Sequence, residues 1–209
     1  MGQLFEARRH ARPDLYASQP SGPLPGANAV NLWRWLSPSR EDAERERPTF
    51  WISSHLLDRT TDVLRQSGHE DRPHEGVAYW AGRRAGKDCF ITTCIVPAAQ
   101  TSYGSFETSS QTNARTIMYL ASAGLEMLGQ VHSHPGKLVG HSDGDNRGAL
   151  MPYDGFLSIV VSHHARRGMR PLTTCGVHLF ERSHFRRLPD LEIDALFRVV
   201  DDLADLRHE

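Results

Sequence analysis

The chain has 209 residues, of which 39% are hydrophobic and 23% are charged, a balance typical of a soluble globular domain of ordinary size. The formal net charge of −1 gives no reason to expect a nucleic acid or an anionic membrane as partner. No apolar run approaches the roughly 18 residues that a membrane-spanning helix needs. The first residues also lack the apolar core of a signal peptide, so we expect a cytoplasmic protein.

Residues 1–47 are predicted to form an extension, followed by one domain over residues 48–209. Repeated prolines and glycines between positions 13 and 26 prevent a regular helix there. Trp33 and Trp35 form a short apolar patch that precedes a run of charged residues. Either the extension packs its tryptophans onto the main domain, or it docks a partner or covers a pocket. Exposed paired tryptophans would be a liability without a binding role.

The pattern becomes regular from about residue 50. Apolar residues at helical spacing predict a first helix that is capped by Ser53 or Ser54 and ends at Gly68. These apolar residues are Ile52, Leu56, Leu57, Val63 and Leu64. Two β-rich runs of strand length follow, at residues 76–81 and 89–97.

A second helix is predicted over residues 108–123, with Thr108 or Ser109 as its cap and Gly124 as its end. A strand over residues 125–134 comes next along the chain. Because a helix and a buried strand follow each other so closely, this region is typical of a sheet that is packed by helices.

A third helix is predicted to begin within residues 142–150, and further strands are predicted over residues 155–162 and 176–180. An amphipathic helix is predicted at the C-terminus. Its apolar residues are Ile193, Leu196, Phe197, Val200 and Leu203. The mixed order of helices and strands, without repeats, indicates a single α/β domain with one central sheet.

The run Val131-His132-Ser133-His134-Pro135 is the most informative part of the chain. Side chains alternate along a strand, so both imidazoles point to the same face if this run is a strand. Ser142 and Asp145 follow within eleven residues of His134. Two histidines and one carboxylate would give zinc three protein ligands and leave a fourth position open for water, which distinguishes a catalytic zinc site from a structural one.

Two other architectures that contain an HxH motif fit the chain less well. A cupin needs a glutamate a few residues after this motif, and no glutamate lies between His134 and Glu181. An amidohydrolase barrel needs about 250 residues, which is more than this chain has. A lone HxH motif is common by chance, but the full spacing with Pro135, Ser142 and Asp145 favours a metal site.

Hydrolysis at such a zinc needs a proton acceptor that is not itself a ligand. Glu75 is the best upstream candidate, because it lies at the start of a predicted strand and so can project into a site on a neighbouring strand. Glu70 and Asp71 lie in a polar turn. Ser142 has two possible roles, which do not exclude each other. Its hydroxyl can stabilise the oxyanion of a tetrahedral intermediate, or it can cap the helix that carries Asp145.

Glu75, the HxHP run, Ser142 and Asp145 together resemble the signature of the JAMM metallopeptidases, which are also called MPN+ or JAB-domain proteins. The resemblance covers about residues 50–185 and includes the seven residues from Pro135 to His141 that separate the HxH motif from Ser142. It implies that His132, His134 and Asp145 bind one zinc ion per chain. It also implies that Glu75 is the general acid and base, and that Ser142 stabilises the oxyanion. The implied fold is a curved mixed sheet flanked by helices, with a cytidine-deaminase-like architecture.

The resemblance also implies a class of substrate. The family cleaves peptide or isopeptide bonds after the C-terminal glycine of ubiquitin or ubiquitin-like proteins. The tail of the modifier would lie extended beside residues 100–107, as an added strand. The short segments around the site, without extra cysteines or histidines spaced for a second zinc, resemble compact prokaryotic members. Such members often accompany a ubiquitin-like modifier with its activating and conjugating enzymes, or a sulfur-carrier protein.

Three functions are therefore consistent with the sequence. The chain is a zinc isopeptidase or processing peptidase for a ubiquitin-like protein, a non-catalytic scaffold of the same fold, or a metallopeptidase for another substrate such as a sulfur-carrier precursor.

Three further histidines follow the HxH motif along the chain. His141 is interpreted as a solvent-facing loop residue or a substrate contact, and His163 and His164 are interpreted as surface residues.

Overall fold

The computed structural model describes residues 47–69, 71–150 and 152–201. The predicted extension over residues 1–47 lies outside the described residues, apart from Arg47. The boundary between extension and domain therefore stays a prediction. In the part of the chain that the structure describes, no helix is long and apolar enough to cross a membrane.

The described residues contain four α-helices and twelve strands. The helices are α1 (Ser54–Arg65), α2 (Ser110–Ala123), α3 (Asp143–Gly148) and α4 (Asp190–Leu196). The strands are β1 (Thr49–Ser53), β2 (Gly68–His69), β3 (Arg72–Pro73), β4 (Val77–Ala85), β5 (Asp88–Ile95), β6 (Ala99–Ser102), β7 (Ser105–Thr108), β8 (Glu126–Ser133), β9 (Leu157–Val161), β10 (Gly176–Glu181), β11 (His184–Arg187) and β12 (Phe197–Val200). Two short 3₁₀ turns, His163–Ala165 and Leu172–Thr174, lie between β9 and β10.

Eight strands form one mixed sheet in the order β11-β10-β9-β8-β4-β5-β1-β12. β4 runs antiparallel to both of its neighbours, whereas β1 is parallel to β5 and β12, and β8 is parallel to β9. The pairing register shifts along β4 on both sides, next to Ala81, and such bulges bend a strand and increase its twist. The prediction of an α/β fold with a curved mixed central sheet is confirmed.

The core lies against the central strands, where β8 is buried from Leu128 onward and β9 along its whole length. Helix α1 packs on this sheet through Leu57 and Leu64, which are fully buried. The indole Nε1 of Trp80 donates to the Thr60 hydroxyl at 3.0 Å, so the largest buried side chain of β4 keeps its polar atom satisfied. Each buried side chain of leucine size contributes about 1.5–3 kcal/mol to the free energy of unfolding. The centre of the sheet is thus a rigid support for the HxH motif at the end of β8.

The limits of the first two helices follow from their caps. The Ser53 hydroxyl accepts a hydrogen bond from the Leu56 N–H at 3.1 Å and starts α1. The predicted cap at Ser53 is confirmed, whereas Ile52 lies in β1 and α1 ends at Arg65 instead of Gly68. Residues Thr49–Ser53 form a strand because they pair with β5 and β12. Helix α2 begins and ends as predicted, with Ser109 as its cap and Gly124 at a φ of 62°.

The predicted C-terminal helix is shorter than expected. It ends at Leu196, and the next residues form β12, which pairs in parallel with β1. Phe197 stacks on Phe50 with ring centroids 5.3 Å apart. The spacing of the apolar residues fits a helical period. Residues 197–200 nevertheless form a strand, because they gain backbone hydrogen bonds with β1 and the contact between the Phe197 and Phe50 rings. Leu203 lies outside the described residues.

A separate hairpin of β6 and β7 was not predicted from the sequence. Its residues are mostly serine, threonine, glutamine and glutamate, so it has no apolar alternation that indicates a strand. The Glu75 N–H donates to the Ser102 carbonyl at 2.7 Å, and the Tyr79 and Thr108 hydroxyls lie 3.4 Å apart. These contacts fix the hairpin beside the start of β4.

Candidate metal centre

Two histidines lie at the end of β8, as the HxH spacing predicts. His132 is in the strand and fully buried, and His134 follows directly after the strand ends at Ser133. Their rings point to the same side, with ring centroids 5.0 Å apart and Nε2 atoms 3.2 Å apart. The His134 N–H donates to the Val161 carbonyl at 2.8 Å, which continues the pairing with β9 beyond the last residue of β8.

Asp145 reaches the histidines from the first turn of α3. Ser142 caps this helix: its hydroxyl accepts from the Asp145 N–H at 3.1 Å, and the Asp145 carboxylate accepts from the Ser142 N–H at 2.6 Å. The reciprocal pair is a capping box, and it fixes the carboxylate in one orientation. Oδ1 of Asp145 lies 3.2 Å from His132 Nε2, and Oδ2 lies 3.3 Å from His134 Nε2.

The spacing of these donor atoms fits a tetrahedral metal ion. Zinc binds imidazole and carboxylate at about 2.0–2.1 Å, which places the donors of a tetrahedral site about 3.3 Å apart. The 3.2 Å between the two Nε2 atoms agrees with this value, and each Nε2 lies 3.2–3.3 Å from a different oxygen of the Asp145 carboxylate. Among the described residues, His132, His134 and Asp145 are the group whose donor atoms are close enough to hold a metal.

Protonation of the candidate ligands depends on their contacts with one another. His134 Nδ1 lies 3.1 Å from the Leu138 carbonyl, which can only accept, so Nδ1 carries a proton and Nε2 is the atom that faces the other donors. Burial works to raise the pKa of Asp145, but hydrogen bonds from His132 and His134 outweigh it and hold the pKa well below its usual range. Burial lowers the pKa of His132. It also works to lower the pKa of His134, but Asp145 and Glu75 raise that pKa. A neutral imidazole and an ionised carboxylate are the forms that bind metal, so metal binding at His134 would release a proton.

Glu75 lies beside this group at the start of β4 and is only 5% exposed. Burial raises the pKa of its carboxyl to about 7, while His134 opposes the rise and the charge of Asp145 adds to it. The next residue, Gly76, has no room for a side chain, because a Cβ there would lie 2.8 Å from the Leu64 Cα. The backbone next to Glu75 therefore packs closely against α1, and the carboxyl is able to exchange a proton near neutral pH.

The predicted site residues meet in one cleft of about 640 Å³. Glu75, His134, Ser142 and Asp145 line it, and His132 lies fully buried behind them. Strand β7 and the residues around α3 form its walls. The structure thus brings together every residue that the sequence predicted for the site.

His141 is not the solvent-facing loop residue that the sequence suggested. Its ring is half-buried and stacks on His178 with centroids 3.8 Å apart. Nδ1 lies 2.9 Å from Asn146 Oδ1, and Nε2 lies 2.8 Å from the Ser158 hydroxyl. Residue 141 therefore anchors the segment before α3 to strands β9 and β10. Neighbouring aromatic and polar side chains from distant strands cover it, which the local sequence could not indicate.

Comparisons with known proteins found similar chains in other organisms. A solution structure of a protein from Desulfitobacterium hafniense has 19% identity and a TM-score of 0.54, and the match covers 77% of this chain and 99% of that one. A JAB1/MPN domain protein from Archaeoglobus fulgidus has 17% identity and a TM-score of 0.41 over 73% and 98% of the two chains. A protein of Sinorhizobium fredii named "probable metalloprotease" is 28% identical over 141 residues, which are 66% of this chain and 85% of that protein.

Residues 57–175 match the model of a family described as prokaryotic homologs of the JAB domain, which is more than half of the chain. The chain belongs to this JAB-domain family. The resemblance seen in Glu75 and the HxH motif is confirmed at the level of the family. The match begins inside α1 and ends just before β10. It therefore includes β8 and α3, the two segments of this JAB domain that supply the candidate ligands.

Two buried residues beside the candidate site of this JAB domain were not predicted from the sequence. Ser133, between the two histidines, is fully buried and hydrogen-bonds the backbone of Gly76. Its strand position, with the side chain opposite to the histidines, could have indicated contact with a neighbouring strand. His164, predicted to lie at the surface, is only 5% exposed. No pattern in the sequence indicates this burial, because it depends on a backbone turn after β9.

Proposed function

We propose that this JAB domain is a zinc-dependent peptidase that cleaves the amide bond after the C-terminal glycine of a ubiquitin-like protein. Deconjugation and precursor processing break the same type of bond, so the proposal includes both reactions. The observation that carries the proposal is the convergence of a three-donor metal group and a buried carboxyl with a pKa near 7 in one open cleft.

His132, His134 and Asp145 would hold the metal ion. A zinc ion bound there would lower the pKa of water and polarise a carbonyl group. The donor set of two imidazoles and one carboxylate is typical of catalytic zinc, because it leaves one coordination position open. The hydrogen bond from His134 Nδ1 to Leu138 keeps that ring in the orientation in which Nε2 faces the other donors.

Glu75 would carry the proton between water and the leaving amine. A carboxyl with a pKa of about 7 is divided between its base and acid forms near neutral pH, which suits a group that must first accept a proton and then donate it. Burial, which causes the raised pKa, also keeps the carboxyl away from bulk water.

Ser142 would stabilise the negative charge that develops on the carbonyl oxygen of the substrate. Its oxygen already accepts a hydrogen bond from the Asp145 N–H, so the hydroxyl proton is available to point into the cleft that Ser142 lines. The capping role and the oxyanion role therefore use different parts of the same hydroxyl group.

The shape of the cleft supports an extended, glycine-terminated tail as the substrate. Strand β7 pairs with β6 on one edge, and no strand among the described residues pairs with its other edge. All four residues of β7 line the cleft, so a tail can add there as a strand. Small residues widen the path towards the metal group. They are Gly104, Ser105, Gly144, Gly148 and Ala149.

Cleavage of fusion proteins tests the proposal. Each probe is a ubiquitin-like protein ending in Gly-Gly and fused to a reporter domain, incubated with zinc-loaded enzyme, with Glu75→Gln as the inactive comparison. We expect cleavage directly after the second glycine, located by mass spectrometry, with at least about a hundredfold loss in Glu75→Gln. Equal cleavage of short peptides without the folded modifier would contradict the substrate class. Full activity of Glu75→Gln would contradict the role of Glu75.

A further inference from the structure

The turn after β9 has three consecutive residues with positive φ, and none of them is glycine. The φ angles of His163, His164 and Ala165 are 54°, 49° and 58°. The left-handed region costs an L-residue about 1–2 kcal/mol, so such a run persists only where its surroundings hold it. Here the Arg65 guanidinium donates to the carbonyl of Ala165 at 2.9 Å and to the carbonyl of the next residue at 3.2 Å.

The backbone of this turn supports the metal ligand His134. The His164 N–H donates to the His134 carbonyl at 2.7 Å, and the His163 N–H donates to the Gly136 carbonyl at 2.9 Å. Both bonds come from main-chain atoms. They remain when the side chain of residue 164 is changed, as long as the turn is kept.

The side chain of His164 supports the candidate acid and base. Its Nδ1 lies 3.0 Å from the carbonyl of His74, and because a carbonyl only accepts, Nδ1 donates. That carbonyl belongs to the peptide group that joins His74 to Glu75. On the other side of Glu75, the Gly76 N–H donates to the Ser133 hydroxyl at 2.9 Å. The backbone of Glu75 is therefore held before and after the residue.

Stability alone does not explain a histidine at position 164. With Nδ1 used for His74, Nε2 is buried and has no hydrogen-bond partner among the described residues. The ring of Tyr103 covers it edge-on, with centroids 5.3 Å apart. A buried polar atom without a partner is destabilising, and this cost opposes the gain from the hydrogen bond to the His74 carbonyl. The clearest effect of the His164 side chain is therefore to fix the peptide group before Glu75.

We propose that His164 is a positioning residue: its ring fixes the peptide group before Glu75, and its backbone fixes His134, so that the carboxyl and the metal group keep a constant separation. The inference rests on the proposed role of Glu75 as proton carrier. Proton transfer needs heavy atoms within about 2.6–3.2 Å, and a misplacement of about 1 Å costs about a hundredfold in rate.

Three substitutions separate positioning from packing. In His164→Asn, the side-chain amide places its N–H near the position of Nδ1, and asparagine tolerates positive φ. In His164→Gln, the amide lies one bond further out and cannot reach the His74 carbonyl. His164→Ala removes the donor without adding volume, and is used if His164→Gln does not fold. His55→Gln on the exposed face of α1 is the matched control.

The first measurement is hydrogen exchange of the Glu75 and Gly76 amides by NMR in the metal-free protein. We expect exchange at least about tenfold faster in His164→Gln and His164→Ala, and wild-type rates in His164→Asn and His55→Gln. The second is zinc affinity by competition with a chelating dye, expected to be unchanged in all variants. The third is cleavage of the fusion protein, in which kcat falls about tenfold or more without a change in KM and is restored in His164→Asn.

Wild-type exchange at Glu75 and Gly76 in a folded variant without the donor overturns the proposal, whatever the cleavage assay gives. Equal losses in His164→Asn and His164→Gln overturn it as well, because they assign the effect to packing. If the wild-type protein cleaves no fusion, the proposed function fails. The exchange measurement still tests the positioning of Glu75, since it needs neither metal nor substrate.

Discussion

Ser133 and Gly76 exchange two hydrogen bonds: the Gly76 N–H donates to the Ser133 hydroxyl at 2.9 Å, and the Ser133 N–H donates to the Gly76 carbonyl at 3.0 Å. The residue between the two candidate histidine ligands thereby holds the residue next to Glu75. The candidate metal group and Glu75, the proposed proton carrier, are thus linked through one buried pair.

Ser133→Ala leaves the Gly76 N–H buried without its side-chain partner. We expect the free energy of unfolding to fall by about 1–3 kcal/mol, and kcat to fall further than zinc affinity, because the ligands keep their strand. Chemical unfolding and fusion cleavage measure the two effects. Ser122→Ala on the exposed end of α2 is the control. Unchanged kcat with reduced stability would show that Ser133 does not position Glu75.

Glu75→Gln changes the pH dependence of stability in the metal-free protein. The pKa of Glu75 is raised from 4.5 to about 7 in the folded state, so the folded state keeps a proton that the unfolded state has released. This contribution to stability is fully present below about pH 4.5 and is lost as the pH rises through 7. Glutamine does not ionise, so we expect the variant to be more stable than the wild type at pH 8.

Urea unfolding with a chelator at several pH values measures this difference, and each pKa unit corresponds to about 1.4 kcal/mol. Glu107→Gln, which changes an exposed residue of the same cleft, is the matched control for the exchange of a carboxyl for an amide. A Glu75→Gln protein that is less stable than the wild type at pH 8 contradicts the raised pKa.

Asp145→Asn removes the charged ligand of the metal group while keeping its size. The wild-type protein is expected to bind one zinc ion and to show a higher Tm with zinc than with a chelator, since a ligand that binds only the folded state stabilises it. The variant should lose both the bound zinc and the Tm shift. Asp143→Asn, exposed in the same turn of α3, should keep both. Zinc bound by Asp145→Asn at wild-type affinity would exclude Asp145 as a ligand.

Ser142→Ala tests the two roles of the helix cap. Loss of an N-cap costs about 0.5–2 kcal/mol, and loss of an oxyanion donor costs about a hundredfold in kcat. We expect both effects in Ser142→Ala and recovery of both in Ser142→Thr, which keeps the hydroxyl. Thermal unfolding and cleavage rates measure them separately. A loss of stability with wild-type kcat would leave Ser142 with a capping role alone.

The sequence predicted the candidate site better than the edges of the fold. The positions of His132, His134 and Asp145 follow from local rules: side-chain alternation in a strand and a helix that begins at Ser142. Glu75 was reached through the resemblance to a family and through its place at a strand start. These rules act over a few residues, so one sequence is sufficient to apply them.

Features that depend on distant partners were not predictable in the same way. Phe197 is in a strand because Phe50 and the open edge of β1 lie beside it, although its spacing fits a helix. The hairpin of β6 and β7 is polar, and a contact between its Ser102 and Glu75 holds it in place. His164 is buried because the turn after β9 adopts positive φ. In each case the deciding interaction joins residues far apart in the chain.

The origin of the three donors has a consequence for how the ion and the protein affect each other. His132 lies in the central strand β8 and His134 directly follows it, whereas Asp145 comes from a helix of six residues. Short helices are marginal by themselves, so the binding free energy of an ion held by Asp145 would be shared with the folding of α3. Metal affinity and the order of this helix would then be thermodynamically linked, and a change that loosens the helix would weaken binding without touching a histidine.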